Sequence, residues 1–123
     1  MNLSTISGIV KRGKGKGKDF GFPTANISLT QTIPEGIYVS HVHFDGQAFQ
    51  ALTFIGSAKT FGETDYKAES YLLDFDEDLY DKTIEITLLK KLRDNEKFDS
   101  EIELVEQMKK DLLDARSFFH TLI

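Results

Sequence analysis

The sequence predicts a mainly β fold, a closed antiparallel barrel capped by one C-terminal helix. Three observations carry that expectation. Short segments rich in β-branched and aromatic residues recur between turn signals from Ile6 to Leu92. Asp45-Gly46 sits between two alternating runs, a strong signal for a tight hairpin. After Arg93 the apolar spacing changes from two to the helical period.

Taken in order, Ile6 to Arg12 reads as a first strand running into a Gly/Lys loop, and Ala25 to Leu29 returns as a second extended piece. Pro34 and Gly36 make Thr30 to Gly36 a turn. Ile37 to Phe44 alternates, with Ile37, Val39, His41 and His43 on one side and Tyr38, Ser40, Val42 and Phe44 on the other. Gln47 to Ile55 is its antiparallel partner across the Asp-Gly turn. A Gly/Ser/Thr-rich loop, Gly56 to Asp65, leads to a strand over Lys67 to Leu73, and an acidic connection, Asp74 to Asp81, leads to a long strand over Lys82 to Leu92. Ser100 with Glu103 has capping-box spacing. Val105, Met108, Leu112, Ala115, Phe119 and Leu122 then define the apolar stripe of a helix.

A chain of 123 residues fits one domain, expected to span 1–123, and the composition is that of a soluble globular protein. Ten phenylalanines without tryptophan predict a core built largely on Phe and aliphatics. The absence of cysteine excludes disulfides, thiolate zinc sites and thiol nucleophiles, and agrees with a cytoplasmic location. A net charge of −5 argues against nucleic acid as a partner, because phosphate neutralisation drives that affinity. No apolar run reaches the roughly 20 residues of a membrane span, and the N-terminus is no signal peptide. A monomer is expected.

Within this acidic chain, Lys11, Arg12, Lys14, Lys16 and Lys18 crowd one segment. Gly13, Gly15 and Gly17 alternate with the lysines, freeing the backbone to approach a ligand closely. Two readings stand: a solvated connection, or a loop that holds a small polyphosphate such as a nucleotide. Gly21, Phe22 and Pro23 follow, stiffening the chain towards extended geometry. Thr24 and Asn26, two apart, then point to one side as oxygen donors that could share a magnesium ion. No Gly-Lys-Ser/Thr opens a helix, so this is not a Walker loop.

Glu69 is an acidic residue inside a predicted strand. It is either an ordinary polar position on an outer barrel face or a carboxylate facing a site, able to take a proton from a hydroxyl that attacks a phosphate. His41 and His43 have the spacing of a metal pair, but no third ligand is near in sequence, and surface-facing or hydrogen-bonded hairpin histidines are the preferred reading. Asp74, Asp76, Glu77 and Asp78 read as a solvated acidic loop, and His120 as a surface residue.

Together these residues carry a resemblance. Gly21-Phe22-Pro23-Thr24-Ala25-Asn26 resembles the signature of the riboflavin kinase (flavokinase) family, found also at the C-terminus of bifunctional bacterial FAD synthetases. The similarity continues through Pro34-Glu35-Gly36-Ile37-Tyr38, Glu69 with Leu72-Leu73-Asp74-Phe75, Asp78-Leu79-Tyr80, Leu92-Arg93 and Lys97-Phe98-Asp99-Ser100. It spans roughly Ile6 to Phe118.

The resemblance implies a six-stranded closed Greek-key barrel with a C-terminal helix, moving the ATP γ-phosphoryl group to the riboflavin 5′-hydroxyl to give FMN and ADP. It implies that the loop carrying Gly13, Lys14, Gly15, Lys16, Gly17 and Lys18, with Gly21, Pro23 and Thr24, lies at the nucleotide phosphates. Thr24 and Asn26 would hold Mg2+, Glu69 would be the base, and Arg93 and Phe98 would lie on the flavin side. With five residues ahead of the first strand, no adenylyltransferase domain is expected and the reaction should stop at FMN.

The chain departs from the family pattern in four places. Lys18 and Phe20 stand where Arg and an aliphatic residue are usual; Gly56-Ser57-Ala58-Lys59-Thr60-Phe61 lacks an Asn and a Pro; Tyr71 replaces a common His; and Asp81 replaces a Gly.

Overall fold

The computed structural model describes residues 4–11, 24–56, 66–75, 77 and 79–121. Six strands form one sheet: β1 (Ser4–Ile9), β2 (Ala25–Ser28), β3 (Gly36–Phe44), β4 (Gln47–Gly56), β5 (Lys67–Leu72) and β6 (Thr83–Arg93). Their order is β1-β6-β3-β4-β5-β2, every pair antiparallel. The stretch β6-β3-β4-β5 is a Greek key, with β6 returning beside the first of three consecutive strands. The first strand is shorter than expected at its C-terminal side, and Lys11 joins the sheet only through an isolated bridge to Asn26. That bridge nearly closes the barrel: the Lys11 N–H donates to the Asn26 carbonyl at 2.8 Å. Gly8 lies at the same seam, where a Cβ would come 3.2 Å from Ile27 Cβ, so the missing side chain lets β1 approach β2.

The hairpin between β3 and β4 turns on Asp45 (φ 51°) and Gly46 (φ 76°), the pair of positive φ values that a type I′ turn requires. Asp81, where the family carries glycine, has φ 68°, and the glycine preference at this position follows from that backbone. Asp74 (φ 57°) is also left-handed, and Arg116 grips its carboxylate through both terminal nitrogens at 3.0 and 3.2 Å. The guanidinium holds the Asp74 carboxyl below its ordinary range, so this part of the acidic connection is paired and not simply solvated.

The barrel interior is filled by Ile6, Val10, Ile27, Val42, Ile55, Ile84, Ile86 and Leu88, with Tyr38 reaching the Pro34 carbonyl at 2.6 Å. Burial raises the Tyr38 pKa above its usual value. A hydroxyl ladder crosses this interior, Ser40 to Thr53 to Ser70, each step 2.7 Å, so all three buried side chains are satisfied. The expected Phe-rich core is corrected here. Among the described residues Phe119 is the one buried phenylalanine, while Phe44, Phe49 and Phe75 stack half-buried against the core. A six-stranded barrel is narrow, and β-branched aliphatics and small hydroxyls fill it where aromatic rings would not.

Helix α1 (Glu101–Thr121) starts at Ser100, whose Oγ accepts the Glu103 N–H at 3.2 Å, as the capping box predicts. It packs on the outer face of the sheet through Ala115 and Phe119, against Val39 and Leu73. Both faces of β3 are therefore buried. The β3–β6 register slips twice, leaving Leu92 and Leu89 without partners, and both leucines pack beneath the helix. These bulges turn an ordinary ladder into a helix seat and carry Arg93 to its place opposite Ile37. The described helix is not long and apolar enough to cross a membrane.

Candidate active site

The strand register places three of the predicted residues, Asn26, Glu69 and Arg93, along one line. Arg93 on β6 pairs with Ile37 on β3, Ile37 with Phe54 on β4, Phe54 with Glu69 on β5, Glu69 with Asn26 on β2, and Asn26 with Lys11. Directly opposed residues share a face. Their sequence neighbours Tyr38, Ile55, Ser70 and Ala25 are buried in the other face, so the row lies on the outside of the barrel. Strand spacing puts Glu69 roughly 15 Å from Arg93, three strands away. Ile37 and Phe54 lie between them as an apolar floor.

At the Glu69 end, the carboxylate is 23% exposed and its Oε1 accepts an ion pair from Lys67 Nζ at 2.9 Å. Lys67 lies two residues earlier on the same face of β5, and its side chain is only 12% exposed. Asn26, directly opposite Glu69, is buried, and its Oδ1 has no hydrogen-bond partner. A buried amide oxygen left unpaired costs about 1–3 kcal/mol. A hard divalent cation, which takes oxygen ligands, would satisfy it, so the residues present fit the magnesium expected at this position. Thr24 is half-buried just before β2, two residues from Asn26.

At the other end, Arg93 is committed to the helix. Its Nε and one terminal nitrogen donate to the two carboxylate oxygens of Asp111 at 2.8 Å each, and its second terminal nitrogen donates to the Asp94 carbonyl at 3.1 Å. Asp111 is buried and also accepts from Gln107 at 3.0 Å. The guanidinium lies 5.8 Å from the centre of the Phe98 ring, a cation–π contact. Arg93 and Phe98, expected together, are thus together.

The geometry joins Glu69, Asn26 and Arg93 in one row. Gly13, Lys14, Gly15, Lys16, Gly17, Lys18, Gly21 and Pro23 lie outside the described residues, as does the altered loop after Gly56. Sequence reasoning missed Lys67 and Asp111. Lys67 is legible in hindsight as a cation at i−2 from an acidic residue on a strand. Asp111 gave a signal too, an acid four residues before Ala115 in the apolar stripe.

The histidines are packing residues. His41 stacks on Phe119 (5.6 Å, 18° between planes) and meets His43 edge-on at 6.1 Å. Burial first, and then the neighbouring His43, push the His41 pKa below its ordinary value. Among the described residues no three His, Cys, Asp or Glu side chains gather as a metal site.

Comparison with known proteins identifies the family. The family model described as Flavokinase, riboflavin kinase, matches residues 2–119. The trifunctional protein RibF/MnmA of Mycoplasmoides gallisepticum is 39% identical over 94% of this chain and 18% of its own length. The bifunctional riboflavin kinase/FMN adenylyltransferase of Bacillus subtilis is 34% identical over 95% of this chain and 39% of its own. The chain thus spans well under half the length of these relatives.

Among solved structures, one described as a macrolide-efflux protein from Streptococcus pneumoniae aligns with a TM-score of 0.79 at 34% identity, covering 91% of this chain and 38% of that one. Riboflavin kinase from Trypanosoma brucei shares the fold, with a TM-score of 0.65 at 23% identity over 98% of this chain and 82% of that one. With the family model matched from residue 2 to residue 119, the chain belongs to the riboflavin kinase family.

Proposed function

We propose that this chain is an ATP-dependent riboflavin kinase, transferring the γ-phosphoryl group to the riboflavin 5′-hydroxyl to give FMN and ADP. The observation that carries the reading is the Asn26–Glu69 pair. A half-buried carboxylate stands directly beside a buried amide oxygen that lacks a partner, on the outer row that ends at Arg93. Glu69 accepts the 5′-hydroxyl proton as the oxygen bonds to the γ-phosphorus. The bond from that phosphorus to the β–γ bridging oxygen breaks, and its electron pair leaves with ADP.

Thr24 and Asn26 are the residues that would hold magnesium, which when bound neutralises phosphate charge. Phe54, half-buried beside the buried Ile37, offers an apolar contact for a flat aromatic ring, and Arg93 with Phe98 bounds the far end of the row. Lys14, Lys16 and Lys18 with their glycines would cradle the phosphates. Most of the rate enhancement then comes from positioning and charge neutralisation.

Purified protein given riboflavin and Mg·ATP should form FMN. Glu69→Gln should lower kcat by about 10²–10⁴-fold, the range lost with a general base, at unchanged thermal stability. Riboflavin binding without FMN formation from either ATP or CTP would overturn the reading and leave a non-catalytic flavin-binding barrel.

A further inference from the structure

We infer that Lys67 is a positioning residue for the catalytic carboxylate, a reading that rests on Glu69 being the base. Its ammonium occupies Glu69 Oε1 at 2.9 Å, and no hydrogen bond from the described residues engages Oε2. One oxygen is therefore anchored while the other is left to the substrate hydroxyl. The pair is mostly shielded, with 12% and 23% of the side chains exposed, so solvent competes weakly for the contact.

Lys67 is paired with neighbouring strands on both sides. In register it lies opposite Ser28 on β2 and Gly56 on β4. Gly56 has φ 140°, and a Cβ there would come within 2.6 Å of Glu35 Oε1 and 3.2 Å of Asn95 Nδ2. Glu35 Oε1 in turn accepts from Asn95 Nδ2 at 3.1 Å. The space that a side chain on β4 would fill is thus taken by a carboxylate–amide pair, one strand from the Lys67 stem. That pair joins the segment before β3 to the Asp94–Phe98 segment beside Arg93. The Lys67 ammonium itself is paired along its own strand, with Glu69 two residues on. An unbranched lysine stem on the same face of β5 delivers a charge to Glu69 that no backbone donor could supply, because strand N–H groups lie in the plane of the sheet.

The roles of orienting Glu69 and of binding phosphate make different predictions. Orientation predicts that Lys67→Met lowers kcat about tenfold or more, the scale on which small misplacements of a reacting group are felt, with KM for riboflavin and ATP within about twofold. Lys67→Arg, which can still reach the carboxylate, should recover most of kcat. In the Glu69→Gln background, Lys67→Met should have no further effect on residual turnover, since the side chain it orients is gone. That cycle reads the role even if Lys67→Met costs stability. A rise in the KM for ATP without loss of kcat, an undiminished effect of Lys67→Met in the Glu69→Gln background, or no rescue by arginine would each overturn the proposal. Full activity of Glu69→Gln would instead sink the base assignment, so the two failures are distinguishable.

Discussion

The two ends of the outer row carry charged side chains in opposite states of satisfaction. At one end Arg93 spends its donors on Asp111 and Asp94, and the buried Asp111 accepts from Arg93 and Gln107. At the other, Glu69 has one anchoring cation, and its cross-strand neighbour Asn26 has an oxygen with no partner. A fully paired buried charge is a structural device, since removing one member strands the other. A buried oxygen left wanting a ligand is a liability in the free protein that ligand binding relieves. The row thus ends in a fastener for the helix on β6 and in an incompletely satisfied pair, the proposed reactive one, on β5 and β2.

The comparison is tested first by its largest expected effect. Arg93→Ala leaves the Asp111 carboxylate buried without its cation and should cost about 3 kcal/mol of stability, measured by urea denaturation. A loss below about 1 kcal/mol would mean that Arg93 is not structural.

Asn26→Val should do the reverse. It removes an unsatisfied oxygen, so stability should hold or rise by up to about 1 kcal/mol. Meanwhile the magnesium concentration for half-maximal activity should rise about tenfold. Loss of stability without that shift would break the contrast between the two ends.

The helix side can be probed by pH. His41 is held below its ordinary pKa under Phe119, so the unfolded chain binds that proton more tightly than the folded one. Its stabilisation is complete above about pH 6.5 and is lost as the pH falls below that value. Denaturation midpoints at pH 7.5 and 5.5 should differ less in His41→Leu than in the parent. The smallest effect expected is from Asp81→Gly, which relieves a left-handed aspartate and should stabilise by about 0.5 kcal/mol, since the gain is offset by the entropy of an unfolded glycine.

Much of the barrel was legible because its signals are local. Asp45-Gly46, the alternation in β3 and the Ser100 cap each depend on a few adjacent residues, and each expected element is found within a few residues of its predicted bounds. The Phe-rich core was misjudged because composition says nothing about barrel diameter. The candidate site was legible as residue types: Glu69 and Asn26 stand out as polar side chains on strands, and the motif Gly21 to Asn26 supplies one of them.

The sequence alone left Glu69 between an outer face and a site, as if those excluded each other. In the folded chain Glu69 lies on the outer face, in one row with Asn26 and Arg93, so an outer position and the proposed site do not exclude each other. Lys67 and Asp111 escaped notice because their meaning lies in a partner. Asp111 answers an arginine eighteen positions away, and Lys67 depends on which face β5 turns outward. Local periodicity and turn chemistry determined the strands, the helix and the candidate residue types, because those depend on neighbours along the chain. Which of them meet, and whether a charged side chain ends fully paired or partly unsatisfied, was decided by strand register and two bulges in β6. Those features exist only when distant segments pair.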